Sequence, residues 1–252
     1  VITPSATSPA LTEGKNFHFI FRTIGRDDQQ GPAAAKFIIN KAKPKKVAVL
    51  HDKQSYGQGI AASVRDELKK ANVDVALFEG INAGDSDYSA VITKLKSAGA
   101  DFVYYGGYHP EMGLLLRQAA EQGLKVRMMG PEGVGNPEIN AIAGNAVEGM
   151  LVTLPADPAS KPENAALVKA FKDKGRDPSG AFQMGAYTAT QVLAQSIKAV
   201  GDDAEKVADY LHKTTFNMPT GNVAWDAKGD LKAFDFPVYS WHKDGSKSVA
   251  EK

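Results

Sequence analysis

The sequence predicts an α/β fold in two lobes, with parallel sheets flanked by helices. Three observations predict it. Between residues 47 and 154, short apolar runs alternate with amphipathic stretches. The apolar runs, such as Val47-Ala48-Val49-Leu50, are continuous, as in strands buried on both faces of a parallel sheet. Residues 155–162 then carry three prolines, which marks a connector between lobes.

The elements follow in order. Residues 1–5 read as the tail of a strand running into a hydroxyl-rich loop, Ser5 to Ser8. Residues 17–21, with aromatics alternating around His18 and Ile20, are expected as a strand. A turn at 25–28 leads to a helix over 28–43, whose Ala34, Ala35, Phe37 and Ile38 face a core. Strands are expected at 47–50, 73–78, 101–105, 126–129 and 149–154. Helices are expected between them at 59–71, 88–98, 111–122 and 137–143. Val91, Ile92 and Leu95 share one face of the second of these helices. After the proline connector come helices at 162–175, 182–200 and 204–212. Strands at 221–225 and 236–242 flank a turn at 226–230. Residues 27–155 and 234–252 are expected to form one near-complete βα lobe. Residues 1–26 and 156–233 are expected to be pieces of the other. The chain opens without an initiator Met or a signal-like apolar run, and so reads as processed or truncated.

Composition excludes several classes. Lys and Arg number 30 against 29 Asp and Glu, a formal charge of +1. Nothing in that balance points to nucleic acid or a membrane surface. Cysteine is absent, which removes disulfides and thiolate metal sites. The five histidines show no metal-ligand spacing. Gly57-Gln58-Gly59-Ile60-Ala61-Ala62 matches a dinucleotide-binding pattern. Six polar-rich residues separate it from the preceding strand, too many for a tight phosphate turn. No cofactor is expected.

Three βα loops share a chemical style. Gly106-Gly107 breaks the strand at 101–105, presents Tyr108, and Pro110-Glu111 restarts a helix. Tyr56 precedes the helix at 59–71, and Glu132 stands among the glycines of loop 130–136. All three loops leave the carboxyl ends of strands, where open α/β sheets bind ligands. Two aromatic rings and a carboxylate at one crevice suit a cation such as an α-ammonium group. The bland reading of each is an ordinary surface loop. The Ser5-Ala6-Thr7 loop offers hydroxyls and N–H groups to a carboxylate, or is simply a turn. Phe182, after Asp177-Pro178-Ser179-Gly180-Ala181, closes an apolar pocket or caps the next helix.

The segments 51–59 (HDKQSYGQG), 101–113 (DFVYYGGYHPEMG), 130–136 (GPEGVGN), 177–182 (DPSGAF) and 225–236 (WDAKGDLKAFDF) resemble the branched-chain amino-acid-binding proteins of bacterial ABC transporters. The resemblance runs in order along essentially the whole chain. It implies a two-lobed periplasmic binding protein fold of type I, with three crossovers between lobes. It also implies a periplasmic, non-catalytic protein that closes on leucine, isoleucine or valine and delivers it to a permease. An amino-acid-sensing module of the same fold is the alternative. By position, Thr7 would meet the ligand's ammonium and carboxylate groups, and Ser5 would contribute through its backbone. Glu132 would pair with the ammonium. Tyr56, Tyr108, Gly133 and Phe182 would surround the aliphatic side chain. The resemblance further implies an N-terminal segment, not in these 252 residues, that would complete the first lobe here or arrive from a separate chain. The 252 residues alone are therefore expected to bind leucine much more weakly than a full-length relative, and calorimetry giving equal affinity would contradict this.

Overall fold

The computed structural model describes residues 1–14 and 17–250. Positions 15–16 of the first expected segment and 251–252 of the last lie outside the described residues. The chain divides into two units. The first comprises Val1–Arg26 and Pro155–Asp235, the second Asp27–Leu154 and Phe236–Lys252.

In chain order the elements are β1 (Ile2–Thr3), β2 (Phe21–Arg22), α1 (Asp27–Phe37), β3 (Val47–His51), α2 (Ser55–Lys70), β4 (Val75–Gly80), α3 (Ser89–Ala98), β5 (Phe102–Gly106), α4 (His109–Glu121), β6 (Arg127–Gly130), α5 (Ile139–Ala143) and β7 (Met150–Thr153). They continue with α6 (Ala165–Lys172), α7 (Gln183–Val200), α8 (Ala204–Lys213), β8 (Phe216–Met218), β9 (Gly221–Val223), β10 (Val238–Trp241) and β11 (Lys247–Val249).

The second unit is built on one seven-stranded sheet, ordered β11-β10-β7-β6-β5-β3-β4. Every residue of β3 and β5 is buried, which is why their sequences run apolar without alternation. Strands β3 to β7 pair in parallel. Contrary to an all-parallel expectation, β10 and β11 are antiparallel additions at the edge. A parallel partner needs a crossover of a dozen or more residues. The five residues between β10 and β11 permit only an antiparallel return. Helix α2 lays Ala61, Val64 and Leu68 on the sheet, at the i, i+3, i+7 spacing of an amphipathic helix.

Two helix bounds differ from expectation by more than three residues. Helix α2 begins at Ser55, not at 59, because Asp52 Oδ1 accepts the Gln54 N–H at 2.9 Å and turns the chain early. The helix expected over 28–43 ends as α1 at Phe37 and widens into a π-turn over Ile38–Ala42. Lys43 closes that turn in the left-handed conformation, its N–H on Ile38 O at 2.8 Å. Pro44 follows, and proline disfavours helix at the residue before it.

In the first unit β1 pairs in parallel with β2, and β8 with β9 in antiparallel. The strand expected at 17–21 is displaced. Ile20 N–H closes a turn onto Phe17 O at 3.1 Å, Phe19 is exposed, and only Phe21–Arg22 pairs. Phe21, Val192, Leu211, Phe216, Val223 and Trp225 form the unit's core. Trp225 Nε1 donates to Arg22 O at 2.6 Å.

Arg22 itself is fully buried. Its Nε donates to Asp230 Oδ1 at 2.7 Å, and Arg26 Nη1 donates to Asp230 Oδ2 at 2.7 Å. The Thr12 hydroxyl donates to both carboxylate oxygens, at 3.0 and 2.8 Å, and accepts from Arg22 Nη2 at 2.8 Å. Burial by itself would raise the Asp230 pKa. The hydrogen bonds from Arg26 and Thr12 and the Arg22 charge outweigh burial and hold it below the ordinary value. A lowered folded pKa means the ion pairs stabilise fully above the unfolded value of ~4. That contribution is lost as pH falls through the folded value. Asp230→Asn should cost about 3–5 kcal/mol at neutral pH, since it leaves buried guanidinium uncompensated. Urea unfolding followed by tryptophan fluorescence should also show less acid sensitivity in the variant than in the wild type. Equal stability at neutral pH would contradict the role given to Asp230.

Candidate functional site

Strand β3 feeds β4 on one side of the sheet, whereas β5 feeds β6 on the other. The loops leaving β3 and β5 therefore diverge, and an open α/β sheet forms its binding crevice at such a switch point. Tyr56 and Tyr108 stand on these two loops' helices. Tyr56 lies in the first turn of α2, and Tyr108 caps the N-terminus of α4. Their ring centroids are 5.3 Å apart at an interplanar angle of 39°. Tyr108 is 43% exposed. The two loops are bound together, with Asp52 N–H on Gly106 O at 3.1 Å. A Cβ on Gly57 would lie 2.5 Å from Gly106 O. Gly57, part of the dinucleotide-like pattern, thus serves close approach of α2 to β5.

The third loop leaves β6 and winds Glu132–Val134 into a 3-10 turn. Glu132 is 3% exposed. The Tyr56 hydroxyl donates to Glu132 Oε1 at 2.8 Å and accepts the Gly133 N–H at 3.3 Å. Burial, then the Glu132 charge, push the Tyr56 pKa well above the ordinary phenol value, so Tyr56 stays a donor. Residues 56, 108, 132 and 133, all singled out in the sequence, are thus brought together.

Sequence reasoning missed the residues behind them. Gln30 of α1 accepts the Glu132 N–H at 3.1 Å and the Thr153 hydroxyl at 2.6 Å. Tyr104 of β5 is fully buried, and its hydroxyl has no hydrogen-bond partner among the described residues. Burial first, then the charges of Glu132 and Asp27, raise its pKa. Among the described residues, the buried charged groups of this unit are Asp27, Asp52, Glu111, Glu132 and His51. Desolvation lowers the His51 pKa, which favours its neutral form. The buried charge is therefore acidic, and a buried carboxylate is stabilised by a cation. The only sequence signal was the run of polar residues at an otherwise apolar helix start, Asp27 to Gln30.

The first unit holds the other candidates. Thr3 Oγ1 accepts the N–H groups of Ser5 at 3.3 Å and Ala6 at 3.1 Å. Two of the loop's amides are thereby engaged inside the loop. Ser5 is exposed, while Thr7 is buried. Phe182 is half-buried and caps α7, whose next turn is held by Thr23 Oγ1 on Gly185 O at 2.9 Å. No group of three metal-ligating side chains occurs among the described residues.

A protein family described as periplasmic binding protein matches residues 1–246. The chain belongs to the periplasmic binding protein family. Its fold is the family's type I architecture. A leucine-, isoleucine-, valine-, threonine- and alanine-binding protein of Pseudomonas aeruginosa is 58% identical over 249 residues. That alignment covers 98% of this chain and 66% of the relative, so the chain spans just under two thirds of this curated member of the family. A leucine-binding protein from Thermotoga maritima superimposes with a TM-score of 0.87 at 31% identity, covering 99% of this chain and 71% of that one. A branched-chain amino acid transporter substrate-binding protein from Streptococcus pneumoniae, solved with isoleucine, gives a TM-score of 0.85 at 25% identity. Coverage there is 99% of this chain and 72% of that one.

Gly133 leaves no room for a side chain beside the two tyrosines of this periplasmic binding protein. A Cβ there would sit 2.7 Å from Gly107 O, 3.1 Å from the Tyr56 ring and 3.2 Å from the Tyr108 ring. Gly133→Ala should force the tyrosines apart, changing near-ultraviolet circular dichroism and lowering stability by about 1–3 kcal/mol. A variant with wild-type spectrum and stability would contradict that close approach.

Proposed function

We propose that this chain binds leucine, isoleucine or valine in the periplasm and delivers it to the permease of an ABC transporter. In the second unit Glu132, hydrogen-bonded by Tyr56, takes the α-ammonium group. In the first unit the Thr7 loop, with the backbone of Ser5, takes the carboxylate. The rings of Tyr56, Tyr108 and Phe182 and the bare backbone of Gly133 face the aliphatic side chain. Chemistry of this kind admits any small aliphatic amino acid and rejects acids without an amino group. No covalent step is involved.

The observation that carries the reading is the 2.8 Å bond from Tyr56 to the buried Glu132 carboxylate, at the sheet's switch point and within an acidic interior. The names of the Pseudomonas and Thermotoga relatives, and the isoleucine in the Streptococcus structure, support the same ligand class. Glu132→Ala removes the counter-charge and should weaken leucine binding by about 100-fold or more in isothermal titration. Binding at wild-type affinity would remove Glu132 from the recognition and overturn the reading.

A further inference from the structure

We infer that Arg22 is a positioning residue for carboxylate recognition: its buried guanidinium, held by Asp230, grips the carbonyls on either side of Thr7 and so aims the Thr7 N–H. The inference rests on the proposed function, which gives the ligand carboxylate to the Thr7 loop. Arg22 Nη1 donates to Ala6 O at 2.6 Å, and Nη2 donates to Ser8 O at 2.9 Å. These carbonyls bracket Thr7 in the chain. All peptide bonds among the described residues are trans. In a trans peptide the N–H points opposite to the C=O. Gripping the Ala6 carbonyl therefore turns the Thr7 N–H away from the guanidinium. The second gripped unit, Ser8-Pro9, has no N–H because proline lacks one. The clamp thus orients a single donor.

The rest of the network holds the clamp still. Asp230 binds Arg22 Nε on one oxygen and Arg26 Nη1 on the other, and Thr12 Oγ1 bridges Asp230 to Arg22 Nη2. Arg26 in turn reaches Glu13 at 2.6 Å. A planar guanidinium can bind one carboxylate oxygen and two carbonyls at fixed angles, and a lysine ammonium cannot reproduce that fork. Arg22→Lys keeps the charge opposite Asp230 and loses the two-carbonyl grip. Arg26 binds Asp230 and Glu13, so Arg26→Gln loosens the same network and serves as the control for a merely structural effect.

The test compares L-leucine with L-leucinamide, which keeps the ammonium group and side chain but lacks the carboxylate. Titration calorimetry on the wild type, Arg22→Lys and Arg26→Gln gives the affinities. Amide hydrogen exchange at Thr7 in ligand-free protein gives a second readout. The expected result is that Arg22→Lys weakens leucine about tenfold, the worth of one charge-assisted contact. Leucinamide affinity should change less than about twofold by the same comparison. Thr7 exchange should accelerate relative to the core strands. Arg26→Gln should lower stability without altering the leucine-to-leucinamide ratio. If Arg22→Lys lowers both affinities alike, or neither, the inference is overturned. If the wild type binds leucinamide as tightly as leucine, no carboxylate is recognised, and the proposed function's assignment falls together with the inference. If the wild type prefers leucine to leucinamide and Arg22→Lys keeps that preference unchanged, the inference alone falls.

Discussion

The hydrogen bond from Tyr56 to Glu132 is the contact on which the candidate site depends. It joins the loop after β3 to the loop after β6, across the strand β5 that lies between them. A carboxylate at 3% exposure is costly unless its oxygens are satisfied. A phenol is a suitable partner because it donates strongly and stays neutral. Burial and the Glu132 charge both act to keep it so. The same bond fixes the Tyr56 ring against Tyr108, and the Gly133 N–H on the Tyr56 oxygen secures it from the other side.

The two units meet the same demand with opposite charges. In the second unit the buried charge is carboxylate, and a backbone N–H of the Glu132 loop is tied to α1 through Gln30. In the first unit the buried centre is the Arg22 guanidinium, compensated by Asp230 and directed at backbone carbonyls. Each arrangement fixes the loop that bears the candidate recognition groups. A rigid loop loses little conformational freedom when a ligand is bound.

Much of the second unit's βα order was legible, because strands buried on both faces write continuous apolar runs and amphipathic helices write a stripe. Tyr108 was legible for a local reason: Gly106, Gly107 and Pro110 define a strand end and a helix start around it. The failures are tertiary. Phe17 to Phe21 looks like a strand because aromatics favour one. Yet β1 is two residues long, so there is partner backbone for only Phe21 and Arg22. The antiparallel edge strands depend on a loop length and a neighbouring β7 that periodicity does not encode. Gln30, Tyr104, Asp27 and Arg22 escaped notice because their roles come from what surrounds them once buried. As isolated residues, nothing distinguishes Arg22 from a surface arginine or Gln30 from a helical glutamine.

The central claim is that a buried, tyrosine-held carboxylate recognises an α-ammonium group. The most direct measurement is a calorimetric comparison of L-leucine with 4-methylpentanoate, which has the same carboxylate and side chain without the amino group. Binding of leucine with 4-methylpentanoate about 100-fold weaker or undetectable is the predicted result, since the buried charge would then lack its partner. Equal affinity for the two compounds would contradict it.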